Sequence, residues 1–374
     1  MTSALQQIDS ATLEQYRPTW QQLCDNTDQA PVSLAPNLAI PVIKAINKHA
    51  AVFALQHWRE QSLLGLCFVE AQRWRWGWPY LIWHSWQTPL TFSGTPLLAK
   101  HAQPDDVAAL LAAAKAPLLL QAVCCEGAFW AQLAQAAQIL NAPYQIINTW
   151  QRAALRPTQS FDAWYETNFD RKRRKEYRRL RKRLADLGEL QSTNWQHDES
   201  VQPWLDAFLA LEAKGWKGQR GTALASQQLM AEGVSEAVNA FARQQQLRFW
   251  ALKLNGQTIA TLFAFVCGDT AWLAKIAYDE AYGKFSPGVL LILDATADLL
   301  NEHGIKLVDS CAIPNHPMID NIWRDRIQMA DLLIGTPGLA PWRFKLMVKA
   351  ELLRRRLRET AKSIFYYATN RHRS

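Results

Sequence analysis

The stretch of residues 248–310 constrains the fold more than any other part of the chain. Residues 248–254, 258–267 and 270–278 are β-rich runs separated by Asn255-Gly256 and Gly268-Asp269, pairs that favour tight turns between antiparallel strands. Beyond 279–285, a helical apolar pattern runs from Pro287 to about His303 and stops at Gly304, and residues 306–310 read as a short buried strand. An antiparallel meander whose third strand crosses through a helix to a parallel partner opens a cleft at that crossover. The helix begins at Ser286-Pro287-Gly288, with Ser as cap, Pro at the first helical position and Gly admitting close backbone approach. Such a start is either simply well capped or, with its exposed N–H groups, its dipole and the charge of Lys284, a place for an anionic pyrophosphate.

Upstream, residues 1–155 alternate β-rich runs (52–58, 63–74, 79–86, 117–123) with Pro-marked turns. An alanine-rich helix over 128–140 and a strand over 145–154 complete a mixed α/β unit. Trp74, Trp76 and Trp78 stand at period two, which places them on one strand face, either packed or stacking on a sugar ring. Arg156-Pro157-Thr158 marks a boundary, and helices are expected over 161–167, 172–187, 203–214 and up to about Arg243. The expected division is residues 1–155, residues 156–340 and a C-terminal helix over 341–374.

A chain of 374 residues, 49% hydrophobic and 20% charged, suits a globular protein of two domains. The first fifteen residues hold no Lys or Arg and no apolar run, and no stretch approaches the roughly 18 apolar residues of a spanning helix. A cytoplasmic protein is therefore expected. The six cysteines form no CxxC pair and have no His at zinc-finger spacing, so reduced thiols and no metal are expected. The net charge of +8 is concentrated: residues 171–183 hold ten Lys or Arg against one Glu, residues 341–374 ten against two, and the remainder is acidic.

The segments Gly215-Trp216-Lys217-Gly218, Lys275-Ile276-Ala277-Tyr278-Asp279-Glu280, Phe285-Ser286-Pro287-Gly288-Val289, Val308-Asp309-Ser310-Cys311 and His316-Pro317-Met318-Ile319, in that order, resemble the CelD-type (BioF-like) acetyltransferases of the GNAT superfamily. The resemblance covers roughly residues 155–330 and implies an α/β (α+β) GNAT fold, a mixed, mostly antiparallel sheet flanked by helices. The N-terminal half resembles a second, degenerate GNAT-like unit in element order alone, a layout similar to that of the Fem-type peptidyltransferases. The family further implies an acetyl-CoA or other acyl-CoA donor. Its pantetheine would lie along residues 270–278 near Ala277 and Tyr278, and its pyrophosphate would meet Lys284, Phe285, Ser286, Gly288 and Val289. The usual GNAT loop, Gln/Arg-x-x-Gly-x-Gly/Ala, is replaced here by Gly283-Lys284-Phe285-Ser286-Pro287-Gly288. Fem-type enzymes use aminoacyl-tRNA instead, which is the alternative donor.

Direct attack by an amine or hydroxyl on a thioester needs a base near the nucleophile and N–H donors near the developing oxyanion. The backbone N–H groups of Ala277 and Tyr278 are the expected donors. His316 is the expected base, or it finishes a turn between Asn315 and Pro317. Asp309 either orients His316, binds the acceptor or caps a strand end. Tyr278 either protonates the leaving thiolate or packs, and a covalent route through Cys311 is conceivable. Glu212, Trp216, Lys217, Lys275 and Asp279 are expected to line the acceptor pocket, with a solvated loop as the plainer reading of the first three.

The acceptor that the resemblance implies is a small molecule or a sugar-type, envelope or exopolysaccharide precursor. The basic helix over 172–187 suits a phosphorylated acceptor, the CoA 3′-phosphate or an RNA backbone, unless it is only a solvated face. The C-terminal segment places Leu346, Ala350, Leu353, Leu357, Ala361 and Ile364 on one stripe among cations. That stripe either docks on the domain or lies on an anionic membrane at its inner face. A basic adaptor without catalysis, on membrane or nucleic acid, is the third functional class.

Overall fold

The computed structural model describes residues 2–8, 10–46, 51–215, 221 and 224–371, and the side chains of Ser10, Trp78, Ala225 and residues 362–371 are not described. In the first unit β1 (Thr2–Gln7), α1 (Ser10–Asp25) and α2 (Pro36–Ile46) lead into β2 (Val52–Arg59), β3 (Ser62–Arg75) and β4 (Trp78–Ser85). β5 (Leu97–Leu98), α3 (Pro104–Ala112), β6 (Leu118–Cys124), α4 (Ala128–Ile139) and β7 (Tyr144–Leu155) complete it. The second unit runs α5 (Phe161–Asn168), α6 (Arg171–Ala185), β8 (Leu190–Asn194), α7 (Gln202–Lys214) and α8 (Gln228–Arg243). It continues through β9 (Leu247–Leu254), β10 (Gln257–Cys267), β11 (Thr270–Tyr278), α9 (Pro287–Asn301), β12 (Leu307–Asp309) and β13 (Asp325–Ile334) to α10 (Pro341–Arg371).

The strands form one mixed, mostly antiparallel sheet in the order β1-β2-β3-β4-β6-β13-β7-β12-β11-β10-β9-β8, with β5 against β3. Matching β1 with β8, β2 with β9, β3 with β10, β4 with β11, β6 with β12 and β7 with β13 makes that order read the same from either edge. The two parallel pairs, β4 with β6 and β11 with β12, fall at matching places. Each unit lends its last strand to the other: β13 lies antiparallel to β6, and β7 antiparallel to β12. The N-terminal half thus repeats the strand topology of the C-terminal half, and the boundary near residue 155 falls inside one continuous sheet.

One face of the sheet carries α1, α2, α7 and α8 over a core shared by both units, with Trp20 and Phe68 from the first and Phe208, Phe249, Phe263 and Phe265 from the second. The other face is covered by α3 and α4 in the first unit and by α6 and α9 in the second. β10 is buried on both sides, so Phe263 and Phe265 enter one core while Leu262 and Ala264 enter the other. Burial of this many apolar side chains is the main favourable contribution to folding.

The structure corrects the tryptophan face. Trp76 and Gly77 have φ of 57° and 81° and form a two-residue turn, with Arg75 opposite Trp78. Positive φ at both central residues suits the twist of a tight hairpin, so Trp74 and Trp78 lie on different strands.

Candidate active site

β11 and β12 pair only through Thr270, Ala271 and Trp272 against Leu307, Val308 and Asp309. β11 then runs on to Tyr278 while the chain leaves β12 at Asp309, and the sheet splits as the strand–helix–strand pattern required. Opposite β10, Leu273 faces Ala264 and Lys275 faces Phe263, so Ala274 is an extra residue. A bulge of this kind leaves the extra residue out of the ladder and bends the strand locally. The bulge lies three residues before Ala277, and nothing in the sequence marks it.

The start of α9 differs from the expected side-chain cap. Ser286 is left-handed (φ 52°, ψ 53°) and its hydroxyl makes no cap bond. Its carbonyl instead accepts from the N–H of Val289 at 3.0 Å and of Leu290 at 3.2 Å. Pro287 has no N–H, which leaves the Gly288 N–H without a partner among the described residues. A Cβ on Gly288 would lie 3.2 Å from Tyr278 Cδ1 and 3.3 Å from Met318 Sδ. Tyr278 and Met318 therefore flank the helix start closely, and a side chain at 288 would press on both.

The residues just before α9, Glu280–Phe285, form a 3-10 helix rather than an open loop. Phe285 is buried, with the Lys284 ammonium 5.0 Å and the Arg183 guanidinium 5.9 Å from its ring centre. α6 reaches this point because Tyr177, Leu180 and Leu184 are buried in the same core as α9, and because Arg181 pairs with Asp294 at 2.5 Å. The basic helix thus brings Arg183 to Phe285, three residues before Gly288.

On the other side of β11, Glu212 is 3% exposed and its Oε2 accepts from the Leu224 N–H at 2.8 Å. With Leu211, Gly215, Ile276, Ala277, Tyr278 and Glu280 it encloses a cavity of about 40 Å³. A second cavity, about 70 Å³, lies at the seam of the two units and is lined by Trp272 and Asp309 from one and by Cys124, Glu126 and Thr95 from the other. The Trp272 indole N–H has no hydrogen-bond partner among the described residues.

Asp279 is an internal brace rather than a free acceptor-binding group. Its carboxylate accepts from Lys214 Nζ at 2.6 Å and from the Ala281 N–H at 3.0 Å. The Lys214 bond holds its pKa below the ordinary carboxylate range against the opposing effect of burial. Asp309 does not orient His316 either: its partners are Arg152 at 3.0 Å and the Cys311 N–H at 2.7 Å. The His316 Nδ1 accepts from the N–H of Met318 at 3.3 Å and of Ile319 at 3.4 Å, as a turn-closing residue does. Burial raises the Cys311 pKa well above its usual value, which disfavours the thiolate that a covalent route needs. Lys275 and Tyr278 are half-buried on β11, while Trp216 and Lys217 lie outside the described residues. Among the described residues no group of three or more His, Cys, Asp or Glu could hold a metal ion.

Residues 171–316 match the family model described as an acetyltransferase (GNAT) domain. The match is confined to this segment, and it supports an acyltransferase enzyme built on the GNAT fold. No curated protein matches the chain. Among solved structures, FemX covers 93% of this chain over 100% of its own, at 10% identity and a TM-score of 0.58. A DUF2156 domain from Agrobacterium fabrum, described as the C-terminal part of a candidate lysylphosphatidylglycerol synthetase, covers 92% of this chain over 97% of its own, at 12% identity and 0.56. A conserved protein of unknown function from Bacteroides thetaiotaomicron covers 90% over 100%, at 11% identity and 0.55. At such identities the likeness is one of fold, and it spans both units. The CelD-type subgroup is not distinguished by these matches.

Proposed function

We propose that this GNAT enzyme transfers an acyl group, acetyl in the simplest case, from an acyl-CoA thioester to an amine or hydroxyl of a sugar-type or envelope precursor in the cytoplasm. The observation that carries the reading is the split between β11 and β12 beside the unpartnered Gly288 N–H. The pantetheine would enter the split along β11, and the phosphates would meet Gly288, the α9 dipole, Lys284 and Arg183. The acceptor nucleophile attacks the thioester carbon, its proton passes to a base, the C–S bond breaks and the thiolate is protonated. Backbone N–H groups from the Ala274 bulge and the β11 edge beyond it stabilise the oxyanion. Glu212, buried at the cavity that Ala277 and Tyr278 also line, is the base in this reading. Tyr278, next to the helix start, protonates the leaving thiolate.

A second reading, an aminoacyl-tRNA donor, is favoured by one feature. The 3-10 segment Glu280–Phe285 replaces an open phosphate loop, while Arg171, Lys175, Arg178 and Lys182 form an exposed stripe along α6. Thermal shift separates the two, since a ligand at 100 times its Kd stabilises the native state by about 2.7 kcal/mol. CoA should raise Tm, and Gly288→Trp should remove that rise. A rise with tRNA alone transfers the conclusion to the second donor, and a rise with neither ends both.

A further inference from the structure

α10 is a helix of 31 residues, about 46 Å long, with two opposed apolar faces. One face is docked. Phe344 and Met347 pack against Ile82, Leu119, Ile147 and Leu333 of the sheet. Glu351, fully buried, accepts from Arg75 at 3.0 Å, from the Trp76 indole at 2.9 Å and from Arg354 and Arg355 at 2.8 and 3.0 Å. Arg355 in turn reaches Asp331 at 2.6 Å. This network fixes the rotation of the helix about its own axis.

The opposite face is apolar and faces outward. Trp342, Leu346, Leu353 and Leu357 are 64%, 61%, 58% and 62% exposed. At 100° per residue they fall within a strip about 60° wide, roughly opposite Glu351. Lys345, Lys349 and Arg356 run along one border of the strip, and Arg343 lies on the other with its guanidinium 5.2 Å from the Trp342 ring centre. A docked helix normally turns charge to water, so four large apolar side chains on its outer face need a partner. Lys345 and Lys349 also border an open groove whose walls include Ala137, Pro143, Leu339 and Val348.

We propose that this outer face of α10 docks on a bilayer surface rich in anionic phospholipid, with Trp342 and the leucines in the acyl boundary and the flanking cations on headgroup phosphates. Lipid is chosen over a protein because a linear strip of Leu and Trp bordered by Lys and Arg complements an apolar layer topped by negative charge. Among the described residues no helix is long and apolar enough to cross a membrane, so the contact is peripheral. The inference is independent of which donor the active site takes.

The test is co-sedimentation of the full chain with vesicles of phosphatidylglycerol or of phosphatidylcholine, at low and high salt. Binding is expected on phosphatidylglycerol only, falling as salt rises. The variant Leu346→Glu/Leu353→Glu/Leu357→Glu should lower the bound fraction about 10-fold, and Lys345→Glu/Lys349→Glu/Arg356→Glu about as much. All six side chains lie off the docked face, so circular dichroism and Tm should be unchanged. Absence of binding overturns the proposal, as does equal binding to both lipids that the charge variant leaves intact. A dimer in light scattering that the leucine variant dissociates also overturns it, because a second copy then covers the strip.

Discussion

Helices α3 and α9 hold matching places in the two units, each crossing between parallel strands, yet their first turns are finished in opposite ways. At α3 the chain supplies its own anion. Asp106, 1% exposed, accepts from the Gln103 N–H at 2.7 Å, from His57 Nε2 at 2.9 Å and from Arg59 at 2.5 Å, and Ser3 Oγ bonds the other His57 nitrogen at 2.8 Å. At α9 there is no acidic residue in the first turn and no side-chain cap, and one amide is left over. A helix start attracts negative charge, and the two units answer this with a built-in carboxylate in one and an open end in the other. In the first unit the helix start is filled from within, and in the second it is left without a side-chain cap.

The sharpest way to break this contrast is to remove the built-in anion. Asp106→Ala leaves His57 and Arg59 facing a buried place with no counter-charge, and should lower stability by about 3–5 kcal/mol in a urea titration. A midpoint within error of the parent would mean that the carboxylate does not seal α3. Next in size, the open end matters only if chemistry is done beside it. Glu212→Gln should lower kcat about 100-fold with KM little changed, since the isosteric amide keeps its place but takes no proton. A parent-like kcat would return the base to another residue.

The contrast was only half legible in the sequence. The turn pairs Asn255-Gly256 and Gly268-Asp269 and the Pro287 helix start marked the second unit's meander within a residue or two, because they act locally. In the first unit, α1 and α2 escaped notice because Pro18 and Pro41 stand inside them and argue against helix. The exchange of β7 and β13 joins strands about 180 residues apart and leaves no local mark. Asp106 reads in the sequence only as a good first-turn residue, since His57 and Arg59 reach it by folding. The same distance hid the Arg152–Asp309 pair and made Asp309 look free for His316.

Acid should divide the two helices. Burial pushes the Asp106 pKa up, but the Gln103 N–H, His57 and Arg59 outweigh it and hold it below its ordinary 3.8. A carboxylate with a lowered folded pKa contributes stability that is complete above the unfolded value and is lost as pH falls through the folded one. Hydrogen-exchange protection, corrected for intrinsic rate, should therefore decline at residues 104–112 below about pH 4 while residues 287–301, with no carboxylate at their start, hold longer. Equal decline in both would blur the contrast.

The smallest effect is also the most local, and its sign should differ between the two helices. Ser286 pays a left-handed backbone (φ 52°) to turn into α9, whereas Gln103 enters α3 extended (φ −108°). Removing the side chain relieves the first, whereas in the second it loosens the unfolded chain and removes the Gln103 Nε2 donation to the His101 carbonyl at 3.1 Å. Ser286→Gly should raise stability by about 1 kcal/mol, and Gln103→Gly should lower it by about as much. Both are read as shifts in the urea midpoint at constant slope. If Ser286→Gly instead destabilises, the serine hydroxyl is contributing something at the helix start, and the open end of α9 is less open than its geometry makes it.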